Sequence, residues 1–105
     1  MAPPDAVFVR SDGQWVRVLL VSVLYVEADD NSTVLHTITD RHVLARMMKD
    51  VLTELGDAVE RVHRSYAVNL QHVVAISEEG LHVGVHVVPV GRSYRPTVLQ
   101  RLRMI

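Results

Sequence analysis

The chain contains no cysteine among its 105 residues, which excludes disulfides and thiolate metal sites and fits a reducing compartment such as the cytoplasm. Aromatic residues are scarce at 5%: Phe8, Trp15, Tyr25, Tyr66 and Tyr94. Most fall at expected core positions, so the row of stacking rings used by single-strand nucleic-acid binders is not anticipated. The five glycines are scattered, and none builds a glycine-rich phosphate loop. No apolar run approaches the ~18 residues of a membrane-spanning helix; the longest, Val18–Val26, is broken at Ser22. The opening Met-Ala-Pro-Pro-Asp has neither the charged nor the apolar region of a secretory signal.

What is abundant is valine, a β-branched residue that favours strands. Val7–Arg10 is a short apolar run ending in Ser11-Asp12-Gly13, a turn signal, and Trp15–Leu19 supplies the second arm of a hairpin. Leu24–Ala28 reads as a buried strand and Asp29-Asp30-Asn31 as a break. Ser32–Thr37 alternates, with Thr33, Leu35 and Thr37 on one face and Val34, His36 and Ile38 on the other. His42–Ala45 is a further strand after the Asp40-Arg41 turn. The period then changes. Met48, Val51, Leu52 and Leu55 fit one face of an amphipathic helix, and Gly56 stops it. Val59–His63 is extended, Arg64–Asn69 irregular, and Val73–Ser77 a strand closed by Glu78-Glu79-Gly80. Leu81–Val90 alternates strongly, with a bend or bulge expected at Gly84. After the Gly91-Arg92-Ser93 loop, Pro96–Arg103 forms a terminal helix whose apolar face is Val98, Leu99 and Leu102. The pattern is that of an all-β sandwich or open barrel with two short helices. It is read as a single domain over residues 1–105, ordered from about 6 to 103 and with loose ends at Met1–Asp5 and Met104-Ile105.

Six histidines raise the question of a metal. His82 and His86 are four apart, and on one extended strand they would stand ~13 Å from each other, too far to share an ion. No metal and no cofactor are expected. Ser65 lies two residues from His63, but no glycine-flanked nucleophile turn accompanies them, and no enzyme activity is expected.

The net charge of −1 conceals an asymmetry. Residues 1–60 hold five basic and ten acidic side chains, a net of −5; residues 61–105 hold six arginines and only Glu78 and Glu79, a net of +4. A basic end is a cue for an anionic partner, although an unevenly charged solvated surface is the plainer reading. Two segments carry the chemistry: Arg61-Val62-His63-Arg64-Ser65-Tyr66 and Gly91-Arg92-Ser93-Tyr94-Arg95. Each places Arg-Ser-Tyr at a loop or strand end. Arginine offers paired donors for phosphate oxygens or the guanine edge, and serine a short hydroxyl. Equally, each tyrosine could pack inward with its arginine covering the edge.

Three stretches in register, Val18–Ala28, Arg61–Leu70 and Val88–Arg95, resemble the LytTR family of DNA-binding domains along nearly the whole chain. The resemblance implies an elongated antiparallel β fold of about ten short strands and two short helices. It implies sequence-specific binding of double-stranded promoter DNA for transcriptional regulation in bacteria, with loops rather than a long helix in the major groove. Binding at paired direct repeats as a homodimer is implied too, as is attachment to a receiver or sensor domain outside this chain. Carried over residue by residue, the first DNA-facing loop has Asn31, Ser32 and a base-reading Thr33. The second has His63, Arg64 and Ser65, with Arg64 at the contacting position, and the third has Arg92, Ser93 and Arg95. The family often places two adjacent basic residues in the third loop, whereas this chain has Ser93 at the second of them. Arg61 is expected to meet a phosphate, and Arg101 and Arg103 on the last helix either meet phosphates or form a plain solvated face. Tyr66 is expected in the core, and Asn69 is expected to hold the irregular turn by bonding the backbone. The rival reading is a protein-interaction β-domain of the same fold that has lost its nucleic-acid contacts; Ser93 and the acidic Asp29-Asp30 pair favour it.

Overall fold

A computed structural model describes residues 5–105, so the expected loose start at Met1–Asp5 lies, except for Asp5, outside the described residues. Among them are ten strands and two α-helices. The strands are β1 (Ala6–Ser11), β2 (Gln14–Leu19), β3 (Val23–Asp29), β4 (Ser32–Thr37) and β5 (Arg41–Leu44), followed after helix α1 (Met48–Leu55) by β6 (Glu60–His63), β7 (Tyr66–Val68), β8 (Val73–Ser77), β9 (Gly80–Val83) and β10 (His86–Val88). Helix α2 (Arg95–Leu102) closes the chain. The molecule is elongated, 44 × 30 × 24 Å.

The strands form three antiparallel sheets: the β1-β2 hairpin, a central sheet in the order β5-β4-β3-β7-β6, and a small sheet in the order β10-β9-β8. The Asp12-Gly13 turn has positive φ at both central residues, 49° and 78°, the backbone that matches strand twist in a two-residue hairpin. Helix α1 buries Met48, Val51 and Leu55, and Gly56 ends it with φ 59°, as its spacing anticipates.

The central sheet is covered on both faces. On one side Val26, Leu35 and Ala67 pack with Val9 and Val18 of the hairpin and with α1. On the other, Tyr25, Val62 and Val68 pack with Leu81, Val83 and Val88 of the small sheet and Val98 of α2. Thr33, Val34 and Leu35 are consequently buried in succession, as in strands with no solvent face.

Three expectations are corrected. Residues 64–69 are not irregular throughout, because Tyr66–Val68 is strand β7, paired to both β3 and β6. Leu81–Val90 is not one bent strand. Gly84 (φ 61°) turns the chain back so that β10 pairs antiparallel with β9. His82 and His86 therefore stand on opposite arms of a hairpin, and the distance computed for a single strand does not apply. No group of three or more metal-type ligands occurs among the described residues. The aromatics divide as well. Tyr25 is buried, but Phe8 and Trp15 are 54% and 62% exposed.

Candidate nucleic-acid interface

The three loops carried over from the sequence converge at one end of the central sheet. The β3–β4 turn is Asp30-Asn31, flanked by the paired Asp29 and Ser32; Asp30 takes φ 56°, a conformation aspartate tolerates. The second loop, Arg64-Ser65, joins β6 to β7. The amide of Ala28, at the end of β3, donates to the carbonyl of Ser65 at 2.9 Å, which fastens the first loop to the second. The Gly91 amide donates to the Val62 carbonyl at 2.7 Å, which fastens the third to the same strand end. Gly91 also sits against the ring of Tyr94, a side chain packed on the second core. Two backbone hydrogen bonds thus tie the segments of Ala28 and Gly91, more than 60 residues apart in sequence, to the two ends of the same β6–β7 turn.

Within this edge the side chains divide into free and occupied. Arg64, Arg92, Ser93, Arg95 and Asn31 are exposed. Among the described residues none of these arginines forms an ion pair. Arg95 is the first residue of α2 rather than a loop residue. Ser32 is half-buried, and its hydroxyl closes its own turn by donating to the Asp29 carbonyl at 3.0 Å. Thr33, expected to read a base, is fully buried, and its hydroxyl donates to the Arg46 carbonyl at 2.7 Å. Its side chain ties β4 to the segment before α1 and does not face outward. Asp29 and Asp30 are exposed beside these groups and place two negative charges at the edge.

The second loop is braced from below. Arg61 does not extend to solvent for a phosphate as expected. Its Nε donates to the carbonyl of His63 at 3.2 Å and its guanidinium donates to the carbonyl of Arg64. His63 Nδ1 accepts the Ser65 amide at 3.1 Å, which requires a ring with no hydrogen on Nδ1, and the ring leans on Tyr66 at 5.5 Å. The exposed Arg64 side chain therefore leaves a backbone held at the carbonyls of residues 63 and 64 and the amide of residue 65. Sequence inspection alone missed this role, because an arginine three residues before a turn carries no mark of whether its fork turns in or out. Replacing Arg61 by Met should leave the melting temperature near wild type while speeding hydrogen exchange at the Ser65 amide and weakening DNA binding about tenfold, the size of a lost charged hydrogen bond. Unchanged exchange and affinity would show that the turn holds itself.

Asn69 is buried, and its side-chain oxygen accepts the Gln71 amide at 3.1 Å, the backbone-holding role expected of it. Tyr66 is half-buried and packs against the second core. Arg101 lies behind the edge. It makes a loose ion pair with Glu60 at 3.6 Å, at the other end of β6 from His63, and six residues along α2 from Arg95, about 9 Å at the helical rise. Tyr25 is stacked on His36 at 4.1 Å. Burial first, then the charges of Glu27 and Tyr66, raise its pKa above 10.0 against a smaller lowering by Arg41. A raised phenol stabilises the fold below pH 10 and loses that contribution as pH climbs through the folded value. Alkaline unfolding should therefore coincide with late tyrosinate absorbance.

The described residues thus form a β module with a sheet covered on both faces and exposed arginines gathered on one loop edge. The LytTr DNA-binding domain family matches residues 13–103, and the chain belongs to that family. It is accordingly a DNA-binding domain of the kind used in transcription regulation. Among solved structures, the fold is similar to the LytTr DNA-binding domain of a Bacillus cereus protein described as a methyl-accepting/DNA response regulator. That match has a TM-score of 0.79 and 24% identity and covers 97% of this chain and 100% of the other. No curated protein matches. Among the described residues no helix is long and apolar enough to cross a membrane.

Proposed function

We propose that this domain binds double-stranded promoter DNA sequence-specifically, with its three-loop edge in the major groove. What carries the reading is the joining of the three loops by the Ala28–Ser65 and Val62–Gly91 hydrogen bonds, with Arg64, Arg92 and Arg95 exposed and without ion pairs among the described residues. Arg64 on its braced turn is the base-reading candidate, since a guanidinium can take guanine O6 and N7 together. Arg92, Ser93 and Arg95 suit phosphates or an adjacent base. His63 and Ser65 shape the second loop. In the first loop Asn31 takes over from the buried Thr33, with Ser32 closing the turn.

The Asp29-Asp30 charges oppose binding, which favours cooperation between two copies on paired direct repeats. A receiver or sensor domain outside this chain would supply the signal, in the cytoplasm. The same two aspartates are the observation that favours a protein-interaction domain instead.

The test is a binding matrix on a site selected from random DNA. Arg64→Ala should cost about 1–3 kcal/mol on the preferred site and flatten discrimination at one base pair. Arg101→Ala should weaken all sequences alike or change nothing. Uniform weakening by Arg64→Ala would make that residue a phosphate clamp and shift the reading to the other loops.

A further inference from the structure

The N-terminal hairpin, β5 and α1 enclose a second feature, unrelated to the loop edge. A cleft of about 770 Å³ opens between them, within the roughly 300–1,000 Å³ range of small-molecule sites. Single exposed apolar side chains are ordinary. Here Phe8, Trp15 and Val43, each more than half exposed, line one cavity together, and grouping of this kind marks a binding surface. The polar groups on the cleft are Arg10, Arg46 and Glu54, two cations against one anion. Neither arginine forms an ion pair among the described residues. The Arg10 guanidinium lies over the Trp15 ring, 5.5 Å from its centre, so the positive charge caps one face of the indole in a cation–π contact and stands at the exposed ring. The cleft lies across the central sheet, since β5 is its opposite edge from β6, about 19 Å away at the usual strand spacing.

We propose that this cleft binds an amphipathic organic anion, a flat aromatic body lying on Trp15 and Phe8 with its carboxylate or sulfonate held by Arg10 and Arg46. A neutral apolar ligand would draw nothing from the charge of either guanidinium group, and a cation would face two like charges. The site rests on none of the loop residues and stands or falls independently of the DNA reading.

Trp15 is the chain's one tryptophan and lines the cleft, so its fluorescence reports occupancy directly. The probe is anilinonaphthalene sulfonate, with uncharged phenylnaphthylamine as control. Saturable quenching of Trp15 by the sulfonate is expected, with amide shifts centred on residues 6–10 and 43–46. The neutral control, and the sulfonate with an Arg10→Gln/Arg46→Gln double variant, should each bind about tenfold more weakly or worse. Both arginines are exposed, so the variant should melt as wild type does; if it does not, the two probes compared on wild type still decide. Absence of saturation, equal affinity for the neutral probe, or shifts on another surface would overturn the proposal. So would tighter saturation by a single-stranded oligonucleotide, or a dimer in light scattering that Trp15→Ser dissolves, since the cleft would then belong to a nucleic acid or to a second copy.

Discussion

Raising salt from 50 to 200 mM is expected to weaken DNA binding by this domain about 150-fold, from a slope of roughly −3.6 in log affinity against log salt. The slope counts about four neutralised phosphates at ~0.9 each. On mixed-sequence DNA, where Arg64 has no preferred base to read, they are assigned to Arg64, Arg92, Arg95 and one arginine of the C-terminal helix region. Arg61, counted among the phosphate contacts from its sequence alone, drops out because its fork is spent on the His63 and Arg64 carbonyls. Asp29 and Asp30 release no counterions but lower affinity at every salt concentration, so they shift the line without changing its slope much. The measurement is a titration on mixed-sequence DNA at several salt concentrations. A slope near zero would favour the protein-interaction reading, and a slope near −5 would mean that Arg61 turns outward on binding.

Gly80→Ala is expected to lower the melting temperature by about 15 °C or more. Gly80 holds φ 142°, and an added Cβ would lie 2.1 Å from the Val88 carbonyl oxygen and 2.7 Å from its carbon. Those are backbone atoms of β10, which cannot swing aside as a side-chain tip can. Backbone strain of roughly 1–3 kcal/mol and overpacking of similar size add, and each kcal/mol moves the midpoint about 4–8 °C in a domain near this size. Gly84→Ala is the control. Its φ of 61° is also positive, but an added Cβ meets nothing within 4 Å, so only about 1 kcal/mol is at stake. The displaced strand matters for function because β10 leads through Pro89 and Val90 into Gly91 and Arg92. Calorimetry of both variants settles the point. Equal melting temperatures would mean that β10 yields to the new methyl group.

Local signals in the chain were enough for several elements. Asp12-Gly13 specifies a hairpin, because that pair accepts positive φ at both central positions. The spacing of Met48, Val51 and Leu55 before Gly56 specifies a short helix and its end. The resemblance carried by Arg61–Leu70 and Val88–Arg95 pointed to the family and to the loop arginines. Each of these depends on neighbours a few residues apart, whose preferences act before any tertiary contact forms.

Alternation along a strand tells which side chains share a face, but not how many layers cover it. Thr33 could have been a reader or a core hydroxyl from its position alone; packing on both faces of the central sheet and the Arg46 carbonyl made it the second. Leu81–Val90 alternates as one strand would, and only pairing across Gly84 divides it in two. Phe8 and Trp15 carry the marks of core residues, yet the face of the hairpin on which they sit is left uncovered. By itself the sequence determined the Asp12-Gly13 turn, the two helices and the family. The tertiary structure decided which arginine is free and which is a brace, and how three loops distant in the chain form one edge, because those outcomes depend on contacts between segments that local preference does not encode.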